Sequence, residues 1–235
     1  MTFLPCPTDG VLKDGCLTGR SALVSGAGTG IGRAIALRLC ALGATVRGIG
    51  RRAEPLDETA RLAQGLAGRF DARTCDVRDA GALEAVIAET GAARGLDILV
   101  NNAAFQMSQA KFEDISEEQI RRTFDTNILG YIWMAQATIP HLKKDDCIIN
   151  TGSIVGITGI PILVDYACSK AGIHALTKSL ALYLGEKGIR VNCVVPGPVW
   201  TPNIPGTMPI EEIAKFGHEV ALKRPGQPDE LAPAD

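Results

Sequence analysis

Apolar residues along this 235-residue chain fall into two alternating patterns: short unbroken runs and longer stretches with helical spacing. The short runs lie at residues 21–25, 44–49, 71–76, 97–101, 147–151 and 190–195 and predict strands. Between them, residues 30–41, 56–66, 80–93, 117–142 and 166–184 repeat apolar positions three and four apart and predict helices. Apolar strands separated by helices indicate a parallel sheet covered on both faces. Right-handed crossovers then predict one α/β domain with a doubly wound sheet in the order 3-2-1-4-5-6. Residues 1–19 precede the first strand and read as an arm, leaving 20–235 as the domain. Residues 196–228 hold seven of the thirteen prolines, with Trp200 and Met208 among them. That stretch reads as a long loop with a short helix, the kind of insertion that forms a lid.

Composition narrows the partners. Hydrophobic residues make up 46% and charged residues 21%, enough to supply a packed core. A formal charge of −2 argues against a nucleic-acid partner, whose phosphates call for a basic surface. The first twenty residues contain Asp9, Lys13 and Asp14 and no long apolar run, so they do not read as a signal peptide. No later stretch is apolar for long enough to span a bilayer, and a cytoplasmic protein with no membrane partner is expected. Cys6, Cys16, Cys40, Cys75, Cys147, Cys168 and Cys193 show no CxxC spacing. Reduced thiols fit that pattern better than a disulfide framework or a zinc site. His141, His174 and His218 are isolated in sequence, so no metal site is expected.

The sharpest local signal is Ser25-Gly26-Ala27-Gly28-Thr29-Gly30-Ile31-Gly32, where the first strand meets the first helix. The glycines that matter are Gly26, Gly30 and Gly32, which is not the G-x-G-x-x-G spacing. Such a turn brings backbone N–H groups close to a pyrophosphate, helped by the partial positive charge of the helix N-terminus. Placement after the first strand of a βαβ pattern favours a dinucleotide site over a plain turn. The second strand leads into Gly50-Arg51-Arg52, where an NAD site would usually carry Asp or Glu for the ribose hydroxyls. Glycine cannot do that, and arginine offers a rigid fork of donors to a 2′-phosphate. NADP(H) is the expected cofactor and NAD(H) the alternative; the bland reading of the arginines is a solvated turn.

Tyr166 and Lys170 are four residues apart on a predicted helix and so share a face. Ser153 follows the fifth strand, at the sheet end where open α/β folds bind ligands. The pair gains meaning from the glycine turn, from Asn101-Asn102-Ala103-Ala104, and from Pro196-Gly197 after the sixth strand. Together these residues resemble the short-chain dehydrogenase/reductase family from about residue 18 onward. From about residue 97, stretches such as P-H-L-K-K and P-G-P-V-W-T-P are similar to its glucose/ribitol dehydrogenase-like branch. The resemblance implies a Rossmann-like fold, a tetrad of Asn127, Ser153, Tyr166 and Lys170, and interconversion of an alcohol with a ketone or aldehyde. It implies cofactor contacts from Gly26, Gly28, Thr29, Gly30, Ile31, Gly32, Arg51, Arg52, Asn102, Ala103, Pro196 and Gly197. Asp76 and Val77 would lie at the adenine, Val199 and Thr201 near the nicotinamide, with Tyr166 and Lys170 also touching the cofactor. Ser25 stands where the family has Thr, and Ala104 where it has Gly. The chain ends at Asp235, about where the family's last helix and seventh strand would follow, so six strands are expected.

Free tyrosine has a pKa of about 10. An ammonium ~4 Å away contributes on the order of 4 kcal/mol at an effective dielectric of ~20, about three pKa units before desolvation. Tyr166 would then serve as general acid in reduction and general base in oxidation. The resemblance also assigns Lys170 to the nicotinamide ribose, Ser153 to the substrate oxygen and Asn127 to a water in the proton relay. An enoyl reductase would not need Ser153 for a carbonyl, and a catalytically silent nucleotide-binding or scaffold protein would not need the intact tetrad. Phe105, Ile154, Ile160, Trp200 and Met208 are candidates for an apolar pocket wall, and Cys168 for a small packing residue. The expected substrate is a small carbonyl or alcohol. The expected assembly is a homodimer or homotetramer, a dimer forming through the helices that carry Asn127 and Tyr166.

Overall fold

The computed structural model describes residues 12–208 and 210–234; residues 1–11 of the expected arm, Pro209 and Asp235 lie outside it. Its six strands are β1 (Ser21–Ser25), β2 (Thr45–Gly50), β3 (Arg69–Thr74), β4 (Ile98–Asn101), β5 (Cys147–Thr151) and β6 (Arg190–Val194). They form one parallel sheet in the order 3-2-1-4-5-6, as the alternation of strand and helix patterns predicts. β1 sits centrally and its five residues are all buried. Successive side chains of a strand point to opposite faces, so Ala22 and Val24 join one core cluster and Leu23 the other. The first cluster packs under α1 (Gly30–Ala41) and takes Leu56 from α2 (Ala53–Leu62). The second holds Leu83 and Ile87 of α3 (Ala80–Arg94), Met134 of α5 (Gly130–Thr138) and Leu184 of α7 (Val164–Gly185). Both clusters meet the sheet below its carboxyl ends, where the loops that build the site emerge.

Three expectations change. β3 reads Arg-Phe-Asp-Ala-Arg-Thr and is largely solvent-facing, so it is an edge strand rather than an apolar one. It starts two residues earlier than expected, which frees Cys75 and Asp76 for the loop above the sheet. The single helix expected over 117–142 is instead α4 (Glu117–Phe124), a π-helical turn Asp125–Leu129, α5 and a 3-10 turn Ile139–His141. A π turn inserts a residue into the helical ladder and re-aims the side chains beyond it, and here it carries buried Asn127. Cys168, expected to pack, is exposed on α7. Short helices α6 (Val155–Thr158), α8 (Ile210–Ile213) and α9 (Pro228–Leu231) complete the described chain.

Candidate active site

Two cavities open side by side at the carboxyl end of the sheet. The first, a groove of about 280 Å³, runs from the β1–α1 turn past the ends of β2 and β3. It gathers Gly26, Gly28, Thr29, Gly30, Ile31, Arg51, Arg52, Asp76, Val77, Asn102, Ala103 and Thr201, most of the residues expected around the cofactor. Glycine is needed at two points in the turn. A Cβ on Gly32 would overlap the Gly26 carbonyl oxygen, and Gly26 itself has φ of +69° against the Asn102 side chain. Gly32 thus lies behind the groove, closing the turn onto β4 rather than lining the cavity. Ser25 fastens the same corner: its hydroxyl accepts from the N–H groups of Asn102 (2.9 Å) and Ala103 (3.1 Å). α1 begins at Thr29 with no side-chain cap and no acid in its first turn. Its leading N–H groups are therefore left for a ligand, at the positive end of the dipole.

Gly50 ends β2, where a Cβ would rest in ordinary contact with Leu56, and the exposed Arg51 and Arg52 follow. Neither guanidinium makes a hydrogen bond or ion pair among the described residues, unlike Arg33, which is spent on Thr59, Gly28 and Pro55. Asp76 is at the expected place, but its carboxylate is occupied by the Arg78 guanidinium and backbone N–H. That pairing holds its pKa below the usual carboxylate value. The set fits a phosphorylated dinucleotide: glycine cradle, uncapped helix start, and arginines with no hydrogen bond of their own where an acid would hold the ribose.

The second cavity, about 540 Å³, lies above β5 and β6 and contains Ser153, Tyr166 and Lys170. Pro196, Gly197 and Val199 line it as well, alongside Ile154, Ile160 and Met208. Phe105 instead lines the groove, where Arg122 stacks over its ring at 4.1 Å, and Trp200 packs towards Phe216. Ile31, Asn102, Ala104, Thr201 and Asn203 line both cavities, so groove and pocket meet.

On α7, Tyr166 and Lys170 share a face as expected. Lys170 is 1% exposed and donates to the Thr151 carbonyl at 2.7 Å. Its ammonium lies 5.5 Å from the Tyr166 ring centre and 5.7 Å from that of Tyr131. The expected lowering of the tyrosine pKa by this neighbour is not what the packing produces. Burial penalises both charged forms: it pushes Tyr166 up to about 12 and Lys170 down to about 7. The Ser153 hydroxyl, hydrogen-bonded to Tyr166, pulls the tyrosine the other way.

Asn127 belongs to this centre through α7, not through either cavity. Its Oδ1 accepts from Phe105 N–H (2.8 Å), and its Nδ2 donates to the Phe105 carbonyl and to Ser169 Oγ, both at 2.9 Å. Both amide hydrogens are used, so the side chain is a brace between the loop after β4 and the helix carrying Tyr166. Ser169 completes the brace by donating to the Tyr166 carbonyl at 2.7 Å. The expected role of this side chain in positioning a water is therefore not visible in its contacts.

Residues 20–208 match the short chain dehydrogenase family. The chain belongs to that family. It is 41% identical to the glucose and ribitol dehydrogenase of Daucus carota over 232 residues, covering 93% of this chain and 78% of that protein. It is 38% identical to NADPH-dependent aldehyde reductase 1, chloroplastic, of Arabidopsis thaliana, with the same two coverages. A short chain dehydrogenase from Burkholderia cenocepacia, solved in complex with NADP, superposes with a TM-score of 0.86 at 33% identity. That match covers 93% of this chain and 89% of the other. This short-chain dehydrogenase is thus an oxidoreductase near the glucose/ribitol branch. Among its described residues no helix is long and apolar enough to cross a membrane.

Sequence reasoning left several contributors unread. Thr151 holds Lys170 through a backbone carbonyl, which has no residue signature. His174 lies two turns beyond Tyr166, with Nε2 3.5 Å from Ser153 N–H and Gly152 and Gly156 pressed against its ring. The Tyr166–Lys170–His174 spacing of four was the available clue.

Proposed function

We propose that this protein interconverts an alcohol and a ketone or aldehyde with NADP(H), Tyr166 acting as general acid or base. The observation that carries the reading is the meeting of the groove with the cavity that holds Ser153, Tyr166 and Lys170. The cofactor, when bound, supplies the hydride and its electron pair. The Gly26–Gly32 turn and the start of α1 would hold its pyrophosphate, and Arg51 its 2′-phosphate. Ser153 orients the substrate oxygen towards Tyr166, which gives it a proton as the carbonyl carbon is reduced. In the reverse direction the same oxygen takes the proton back. A phenol that stays protonated at neutral pH is available as the acid in reduction, and the proton it gives up is replaced from solvent.

The test is NADPH oxidation against a panel of aldehydes and ketones, with NADH in parallel. Turnover with NADPH preferred is expected. NADPH binding without turnover on any carbonyl would identify a silent binding protein instead. We also propose a cytoplasmic homodimer through α4, the π turn and α7, whose exposed Ile120, Phe124, Leu129 and Leu182 call for cover. Light scattering on the purified chain checks it, and a monomer would refute it.

A further inference from the structure

The substrate cavity is built in three zones, and their order specifies what fits. At the floor lie the polar groups of Ser153, Tyr166 and Lys170. Above them the wall is apolar, with Ile160, Leu163, Val199, Ile204, Met208 and Val220 contributed by three separate segments. At the mouth stand the exposed charges Glu212, Lys215 and Glu219, of mixed sign. Of the neutral polar side chains between floor and mouth, Asn102 and Gln106 are engaged, and Thr201 and Asn203 sit at the edge shared with the groove. Gln106 Nε2 donates to Thr207 Oγ1 at 2.9 Å, and that hydroxyl donates to the Asn203 carbonyl at 2.8 Å. The covering segment is fixed over this wall. Trp200 N–H donates to the Gly226 carbonyl and Gly226 N–H to the Pro198 carbonyl, both at 2.8 Å, closing residues 198–226 into a loop.

Resting on the carbonyl-reductase reading above, we infer that the substrate is a neutral carbonyl compound with an apolar body, not a sugar or polyol. A polyol would place a row of hydroxyls against Ile160, Leu163 and Met208, whose side chains offer no donor and only a weak thioether acceptor. Each hydroxyl buried without a partner costs roughly 5–150-fold in affinity. An alkyl or aryl body gains from the same wall, about 4-fold per methylene removed from water. The mouth carries one net negative charge, Glu212 and Glu219 against Lys215, which disfavours an acid.

Kinetics on a series of straight-chain aldehydes from propanal to decanal, with glucose and ribitol as comparators, test this. Specificity, kcat/KM with NADPH, should climb roughly 3–4-fold per methylene until the cavity is filled and then level off. Met208→Gln keeps the side-chain length and removes its apolar character. It should flatten the rise for the longer aldehydes. A second readout needs no turnover: saturation-transfer NMR on the protein without cofactor should detect 1-octanol and miss ribitol. A flat chain-length series, or ribitol oxidised better than any aldehyde is reduced, would overturn the substrate class while leaving the oxidoreductase reading intact. Absence of all turnover, with 1-octanol still bound, would remove the chemistry and keep the pocket assignment.

Discussion

The two cavities share one edge of the sheet and are built by opposite means. The groove is made locally, by one strand–helix corner, the end of β2 and the Asn102-Ala103 pair, and its donors are backbone N–H groups and unengaged arginines. The pocket is assembled from segments as far apart as Gln106, Ile160 and Val220, and at its floor Lys170 is buried and Tyr166 half-buried. One site therefore offers charge to a ligand, while the other suppresses the charge of its own residues. On the proposed function, affinity for an anionic cofactor and control of a proton would lie in different places, and substitutions should separate them.

The largest effect belongs to the pocket. Tyr166→Phe removes one oxygen and should lower turnover by at least ~10²-fold, within the ~10²–10⁴-fold range of general acid catalysis. NADPH affinity by titration should stay near wild type. A variant retaining more than a tenth of the activity would dismiss Tyr166 as proton donor.

The groove comes next. Charge-assisted bonds are worth ~1.5–3 kcal/mol, so Arg51→Ala should weaken NADPH by roughly 10–150-fold. NADH affinity should barely move. Equal losses for both, measured by fluorescence titration, would mean that Arg51 shapes the loop rather than reading the phosphate.

A third experiment probes suppressed charge directly. The Lys170 pKa falls from 10.5 to about 7 on folding, so between those values the unfolded chain binds a proton that the folded one does not. Stability therefore rises with pH across that window, and the penalty is complete below pH 7. Lys170→Met removes a penalty on the order of 4 kcal/mol at pH 6 but strands the Thr151 carbonyl, at a cost of about 1–3 kcal/mol. Denaturant melts should show a net gain of roughly 2 kcal/mol at pH 6 and a net loss at pH 10. Equal shifts at both pH values would show that Lys170 is charged throughout. Tyr166 works on the alkaline side: its pKa is raised from 10.0 to about 12, so its contribution is present below pH 10 and lost as pH climbs past it.

The smallest effect contrasts two helix starts. Asp79 caps α3 by accepting from Ala82 N–H at 3.0 Å, whereas Thr29 makes no side-chain cap on α1. Asp79→Ala should cost about 1 kcal/mol of stability and leave NADPH binding alone. Thr29→Ala should cost less than about 0.5 kcal/mol. A reversed order in thermal melts would mean that the donors of α1 are already satisfied from within.

How much of this was legible in the chain depends on how far apart the cooperating residues lie. Sheet order followed from alternation and handedness, and the glycine turn, Arg51 and the Tyr166–Lys170 pair followed from spacing within one element. β3 was misread because an edge strand need not be apolar on either side. The long helix was misread because the π turn at Asp125–Leu129 leaves apolar periodicity nearly unchanged while shifting its hydrogen bonds. Asn127 was named by family likeness, yet its contacts with Phe105 and Ser169 join residues 22 and 42 positions away.

The sequence by itself determined the fold class, the glycine corner after β1 and the sharing of one helical face by Tyr166 and Lys170. Each rests on a short-range rule: strand alternation, a glycine's freedom, or one helical turn. Tertiary structure alone decided the protonation tendencies of Tyr166 and Lys170 and the apolar character of the pocket. Desolvation depends on what surrounds a group from every direction, and those neighbours come from β5, β6, α7 and the 198–226 loop together.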